Sequence, residues 1–319
     1  MNKDLKRTFK SIKRKIDLTL LIKHSNMSRS DIHALIQLLE DPDEVIFNTV
    51  REAITEQGEE VLHTLEDHFI IGSGDPLALQ RLSEIIANIQ YKTTYSAIKD
   101  WQKGDQELLE GMLILNKYYQ RNVPSEEVTY LFSRLRQDIW LELNERLTAL
   151  ETVNVLNHIL FKLCGYTSVS GEIQNAPHSL FDVLNTKTGT SLSIGTLYLL
   201  LARSLDLPIY GVNLPGHFLL CYVEQMPEWL LPEGETDTQE ILFYINPAAG
   251  GSILDREEIE QFIASQHLPI DARFFEPCSN SDVVTRNINA LSHHYISQNN
   301  ADKVRELQVL LSVLLEIEE

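Results

Sequence analysis

Cysteine is scarce in this chain, with three in 319 residues, at positions 164, 221 and 278. That number and spacing provide neither a disulfide framework nor the paired thiols of a zinc site, and they suit a reducing compartment. Long apolar runs are also missing. The most apolar stretch, IGTLYLLLA, falls far short of the roughly 20 residues that cross a bilayer. The opening MNKDLKRTFK lacks the apolar segment of a secretory leader. A cytoplasmic location is therefore expected. Basic charge is the third shortage. Against 46 acidic residues stand 27 basic ones, a formal net charge of -19. Such a chain is repelled by phosphate backbones and anionic lipid, so neither nucleic acid nor a membrane is expected as a partner. The basic run KDLKRTFKSIKRK near the start reads as a solvated helix face.

Motifs for cofactors and metals are missing too. There is no phosphate-cradling glycine loop and no dinucleotide fingerprint, and aromatic residues are not interleaved with basic ones as base stacking requires. HTLEDH holds His63, Asp67 and His68 without the i, i+4 histidine pair of a metalloprotease helix. His293 and His294 read as a solvent-facing helix turn. No cofactor and no metal are expected.

What the chain does contain is, first, helices. Up to residue 147 it reads as all-helical. SDIHALIQLLE sets Ile32, Leu35, Ile36 and Leu39 on one stripe. In EDPDEVIFNTVREAI, Asp41 can cap, Pro42 suits the first helical position and Glu44 has capping-box spacing. EEVLHTLEDHFI repeats the apolar period through Val61, Leu62, Leu65 and Phe69. The two helices within 31–70, joined by EQGE, resemble one pair of a HEAT-type repeat, although a single pair is not an array. GSGDP then interrupts the chain, and PLALQRLSEIIANIQ, DQELLEGMLILNKYYQ and SEEVTYLFSRLRQDIWLELNERL continue as helices.

From 148 to 277 the texture changes. A helical stretch, ETVNVLNHILFKLCG, leads into the polar loop YTSVSGEIQNAPHS. Beyond that loop, Ile194, Leu197, Tyr198, Leu201, Ala202 and Leu205 make a sustained helical stripe. Leu192, Leu199 and Leu200 make the other side apolar as well, so this helix is expected to be buried centrally. PIYGVNL, HFLLCYV and ILFYIN read as strands, EQMPEWLLPEGETDTQE as an acidic surface loop, PAAGGSI as a turn, and LDREEIEQFIA as a helix with Asp255 and Glu258 in capping-box spacing. The tail, 278–319, reads as a helical hairpin of TPR-like character joined by QNNAD. The expected class is α+β: a helical N-terminal region, a core whose buried central helix packs on a small antiparallel sheet, and a C-terminal helical pair.

A buried helix followed by strands carrying a histidine and a later polar residue is the order used by papain-like thiol enzymes. There the nucleophile opens the helix, the base lies on one strand and an Asp or Asn on the next orients it. Here those positions are Ser191, His217 and Asn246. LFKLCGYTSVSGEIQNAPHSLFDVLNTKTGTSLSIGTLYLLLARSLDLPIYGVNLPGHFLL resembles the transglutaminase-like core of the bacterial SirB family, and the helical leader and repeat-like tail resemble that family's flanks. The most specific pieces are SLSIGTLYLLLARSLDLP, LPGHF and INPAAGG. In active members a cysteine stands seventeen residues before the proline that follows the central helix, and counting back from Pro208 lands on Ser191. His217 matches the family histidine, and Asn246 stands where an acidic third member is usual. SirB-type relatives generally lack the cysteine too.

The resemblance therefore implies a degenerate, non-catalytic module that binds or regulates a protein or peptide partner. One alternative is a hydrolase or acyltransferase using Ser191 with His217. Another is a purely structural domain, with Ser191 serving as a helix N-cap and His217 as a hydrogen-bonded inner residue. Residues 217, 219 and 221 share a strand face, which makes Cys221, and Gly216 before it, candidates to line the same cleft, although burial is the usual role of a free cysteine. Oligomeric state is left open.

Overall fold

The computed structural model describes residues 27–71, 75–120, 123–169, 179–225 and 239–315. The basic run near the start, the first three residues of GSGDP, and most of the polar loop after Tyr166 and of the acidic loop after Glu224 fall outside them. The chain divides into two compact units, 1–96 and 97–319, so the boundary falls within a single long helix.

The first unit is built from α1 (Arg29–Gln37), α2 (Glu44–Glu56), α3 (Leu62–Ile71) and the opening turns of α4 (Pro76–Lys103). The apolar stripes read from the sequence form its core, with Leu35, Leu39, Val50, Ile54, Leu65, Ile85 and Ile86 buried together. Ser28 and Asp31 cap α1 reciprocally. The cap of α2 is Asp43, which accepts from the Val45 amide, and not Asp41. Pro42 holds the residue before it extended, so the helix starts later than expected and Asp41 instead accepts from the Asp43 amide at 3.0 Å. Arg81, almost fully buried, donates to the carbonyls of Leu39 and Asp41 and to the Glu44 carboxylate, and lies over the Phe47 ring. It thereby satisfies carbonyls that the ends of helical segments leave unpaired.

The second unit has the expected α+β architecture. α5 (Leu108–Tyr119), α6 (Ser125–Glu142) and α7 (Ala149–Asn157) come first, and α7 runs on into a wide π-type turn, His158–Leu163. A parallel two-stranded ladder, β1 (Thr167–Ser168) with β2 (Thr188–Gly189), brackets α8 (Leu180–Thr186). The central helix α9 (Ser191–Ser204) comes next, buried at every position from Ser193 to Ala202. The main sheet is antiparallel in the order β3 (Ile209–Leu214), β4 (His217–Gln225), β5 (Gln239–Asn246) and β6 (Ser252–Leu254).

Strand alternation divides this sheet between two helices. Phe218 lies against α9 so closely that a Cβ added at Gly195 would sit 2.5 Å from its ring, so glycine there allows the helix to reach the sheet. On the other face, Val212, Leu219, Cys221 and Tyr244 pack with Ile259 and Ile263 of α10 (Arg256–Ser265) and with Phe275. A sheet covered on both sides explains why HFLLCYV is a continuous apolar run without alternation. The ladders β1, β2 and β6 were not expected, because two or three residues are too short to show a period.

α11 (Asn280–Ser297), capped by Ser279 with Asp282, and α12 (Ala301–Leu315) close the unit. They pack into it: Tyr118 donates to Glu306 at 2.7 Å, and the Gln102 side chain donates to the Leu314 carbonyl at 3.3 Å. One tail expectation is corrected. His294 is buried, edge-on to Tyr119 and bonded to Gln298, because the α11 face bearing it turns toward α5 while His293 faces solvent.

Candidate functional site around Ser191, His217 and Asn246

Thr190 begins α9. Its hydroxyl accepts from the Ser193 amide at 3.1 Å, and the Ser193 hydroxyl accepts from the Thr190 amide at 2.8 Å, which is a capping box. Ser191 is thus the first helical residue and not the cap, a correction to the structural reading of that serine. Its hydroxyl instead accepts from the Phe218 amide at 3.5 Å, which brings the start of α9 beside the start of β4.

β4 opens with His217, reached from Leu214 through the two-residue turn Pro215–Gly216. Proline presets the first turn residue, and Gly216 takes the left-handed conformation at φ 72°, the order of a type II turn. The His217 imidazole is half-buried and edge-on to Phe262 of α10, with ring centroids 4.6 Å apart. Among the described residues, its buried Nδ1 has no hydrogen-bond partner. Burial first, and the Arg286 guanidinium second, hold this imidazole below the usual histidine range.

Asn246 ends β5. Its side chain accepts from the Ala248 amide at 3.1 Å and so opens the turn Pro247–Ala249. It stands one step beyond the Leu220–Ile245 pair, which sets it across from Leu219 and diagonal to His217 on the same sheet face. The turn is held from α7: Asn157 donates to the Gly251 carbonyl at 2.7 Å. Gly251 has φ 78°, and a Cβ there would fall 1.9 Å from the Asn157 amide oxygen, so glycine is required twice over.

The fold therefore places His217 and Asn246 on neighbouring strands of one face, and the start of Ser191's helix beside that strand's origin. No hydrogen bond joins the three side chains to one another: Phe218 points to α9, while the His217 ring turns the other way, toward α10. Of the two lining candidates, Gly216 is exposed at the turn, but Cys221 has no exposed surface. It lies inside the α10-facing core, where burial pushes its thiol up to about 12, so it packs and does not line a cleft.

Residues 126–289, just over half of the chain, match the family described as the transglutaminase-like superfamily. The chain belongs to that superfamily. Within it, the SirB1 protein of Salmonella typhimurium is 24% identical over 187 residues, covering 58% of this chain and 64% of SirB1. The UPF0162 protein YchA of Escherichia coli is 25% identical over the same length, again covering 58% of this chain and 64% of its own. F-box only protein 21 of Mus musculus is 29% identical over 119 residues, 37% of this chain and 18% of that protein. The match thus spans less than two thirds of the length of these relatives. No solved structure matches the chain.

In this transglutaminase-like core, Arg286 is the residue that sequence reasoning missed. From α11 its guanidinium donates to the Asn213 side chain at 3.0 Å, to the Leu214 carbonyl at 2.9 Å and to the His217 carbonyl at 2.6 Å, and it lies over the Phe218 ring. It clamps the hairpin that presents the histidine. In the sequence it stands 69 residues from His217 in an ordinary amphipathic helix, and nothing local marks it. Among the described residues, no helix is long and apolar enough to cross a membrane, and no three His, Cys, Asp or Glu side chains group to hold a metal ion.

Proposed function

We propose that the transglutaminase-like core of this chain is a non-catalytic module that binds or regulates a protein or peptide partner. The observation that supports this reading is the relation of Ser191 to His217. A serine hydroxyl becomes a useful nucleophile when a base within about 3.2 Å takes its proton. Here the hydroxyl is engaged by the Phe218 amide, and the imidazole rests on Phe262. The third position offers an amide occupied by its own turn, in place of a carboxylate that would stabilise an imidazolium.

The test is hydrolysis of amide and thioester substrates, together with labelling by an acyl-phosphonate probe. Neither turnover nor labelling at Ser191 is expected. Turnover lost in both Ser191→Ala and His217→Ala would replace this reading with a serine hydrolase or acyltransferase. The one observation that favours that second reading is the closeness of Ser191 to the origin of β4, where its hydroxyl accepts from the Phe218 amide next to His217. Ser191→Cys examines the scaffold: a thiol there alkylated faster than a free cysteine, with the advantage lost in His217→Ala, would mean the imidazole can reach position 191.

A further inference from the structure

The wide turn that ends α7 reshapes the surface of the second unit. Val153, Leu156 and Leu160 continue the buried stripe of that helix. In an unbroken α-helix Leu163 would continue it inward, at spacings of three and seven from Leu160 and Leu156. The turn instead closes with the Cys164 amide donating to the Ile159 carbonyl, five residues back, which inserts an extra residue and rotates the chain beyond it. Leu163 emerges 68% exposed. Beside it lies a groove of about 450 Å³ between the end of α6 and the outer side of α7. Leu147, Val155, Ile159 and Leu163 line its apolar part, and Glu142, Glu151, Asn154 and His158 complete the lining. Trp140 and Leu141 on α6 and Leu150 on α7, outside the groove's lining, are exposed as well, at 60%, 64% and 47%. Lys162, although next to Leu163 in sequence, does not line it.

Folded chains rarely leave several large apolar side chains exposed together unless something covers them. We infer that this groove docks a short amphipathic helix of a partner protein, apolar on one side and rich in lysine or arginine on the other. Charge selects that occupant. Two carboxylates line the groove beside one imidazole, His158, on a chain of net charge -19, so an acidic or neutral helix would gain nothing from them and a cationic one would pair there. Leu147, Val155, Ile159 and Leu163 offer the apolar surface against which an i, i+3, i+4, i+7 face packs. The lined part of α7 runs from Glu151 to Ile159, about 12 Å at 1.5 Å per residue. That length accepts a little over two turns. This inference gives the protein-binding reading a place on the surface and does not depend on whether Ser191 reacts.

The experiment uses the full chain and an 18-residue helical peptide of leucine and lysine at amphipathic spacing, with a leucine–glutamate peptide as its control, and measures binding by calorimetry at two salt concentrations. The lysine peptide should bind and the glutamate peptide should not. The decisive variant is Leu163→Glu, which adds negative charge at an exposed site and so leaves folding intact. Docking in the groove would weaken by about tenfold or more when its apolar anchor is lost. General attraction to an acidic surface would strengthen, and that result overturns the inference. Binding by neither peptide, or equally by both, overturns it as well. Glu142→Gln with Glu151→Gln should reduce affinity and its salt dependence while keeping the Thr148 cap, which glutamine also serves. If the wild-type chain self-associates in sedimentation and Leu163→Glu abolishes it, the occupant is a second copy and the partner assignment falls. None of these outcomes changes the hydrolysis assay, so failure here is distinguishable from failure of the proposed function.

Discussion

Replacing Arg286 by methionine isolates what the clamp on the histidine hairpin contributes. Methionine keeps the length of the side chain and removes the charge and the forked donors. Three acceptors then lose their partner: the Asn213 amide oxygen and the carbonyls of Leu214 and His217. A hydrogen bond to a charged group is worth about 1.5–3 kcal/mol. The site is half-buried, so water recovers part of the loss and the three terms do not add. The expected cost is about 2–4 kcal/mol. No tryptophan falls within residues 1–96, and Trp101 is buried in the unit 97–319, so tryptophan emission during urea unfolding follows that second unit. With a slope of about 2 kcal/mol per molar, the midpoint should fall by about 1–2 M. A second readout separates clamping from mere packing. The guanidinium disfavours the imidazolium of His217, so the histidine should titrate higher in Arg286→Met, followed by NMR of the ring protons. Arg286→Lys keeps a charge without the fork, and should retain most of the depressed titration while losing part of the stability. A stability within about 0.5 kcal/mol of wild type, or a His217 titration that moves down, would refute the reasoning.

Gly195→Ala sets two effects of opposite sign against each other: a helix-propensity gain of about 1 kcal/mol and an overpacking cost of about 1–3 kcal/mol, since the new methyl meets the buried Phe218 ring. A net loss in urea midpoint is expected, and a stabilised variant would show that α9 does not press on β4. Thr190→Ala should cost about 1 kcal/mol as a lost cap, whereas Ser191→Ala should cost far less, and equal losses would contradict the assignment of the cap. His217 carries its depressed titration into stability. The unfolded chain takes up the proton first, so its contribution is whole above about 6.5 and declines as pH falls through the folded value. His217→Gln should flatten the stability profile between pH 7 and about 5, and an unchanged slope would mean that the imidazole is not held neutral.

Much of the second unit was legible because its signals are local or strongly periodic. The three long strands were found from apolar runs that a doubly covered sheet requires, and the central helix from apolar residues on all its sides. Caps were legible where the polar residue and its partner lie three apart without interruption, as at Asp255 and Glu258. At Asp41 a proline intervened and the cap moved to Asp43. Leu163 shows the opposite failure. Its spacing agrees with the buried stripe, and a single wide turn whose cause is not written in local propensity turned it outward.

The sequence alone established the elements, the acidic surplus and the identity of the residue at position 191, a hydroxyl at the position that matches the cysteine of active members. Each of these is a property of neighbours along the chain or of composition. Tertiary structure decided which way His217 faces, that Arg286 grips its hairpin, that Cys221 is sealed in the core, and that Leu163 stands in the open. Those outcomes depend on strand register and on helices packed from tens of residues away, and one step of register exchanges every side chain between the two faces of a sheet.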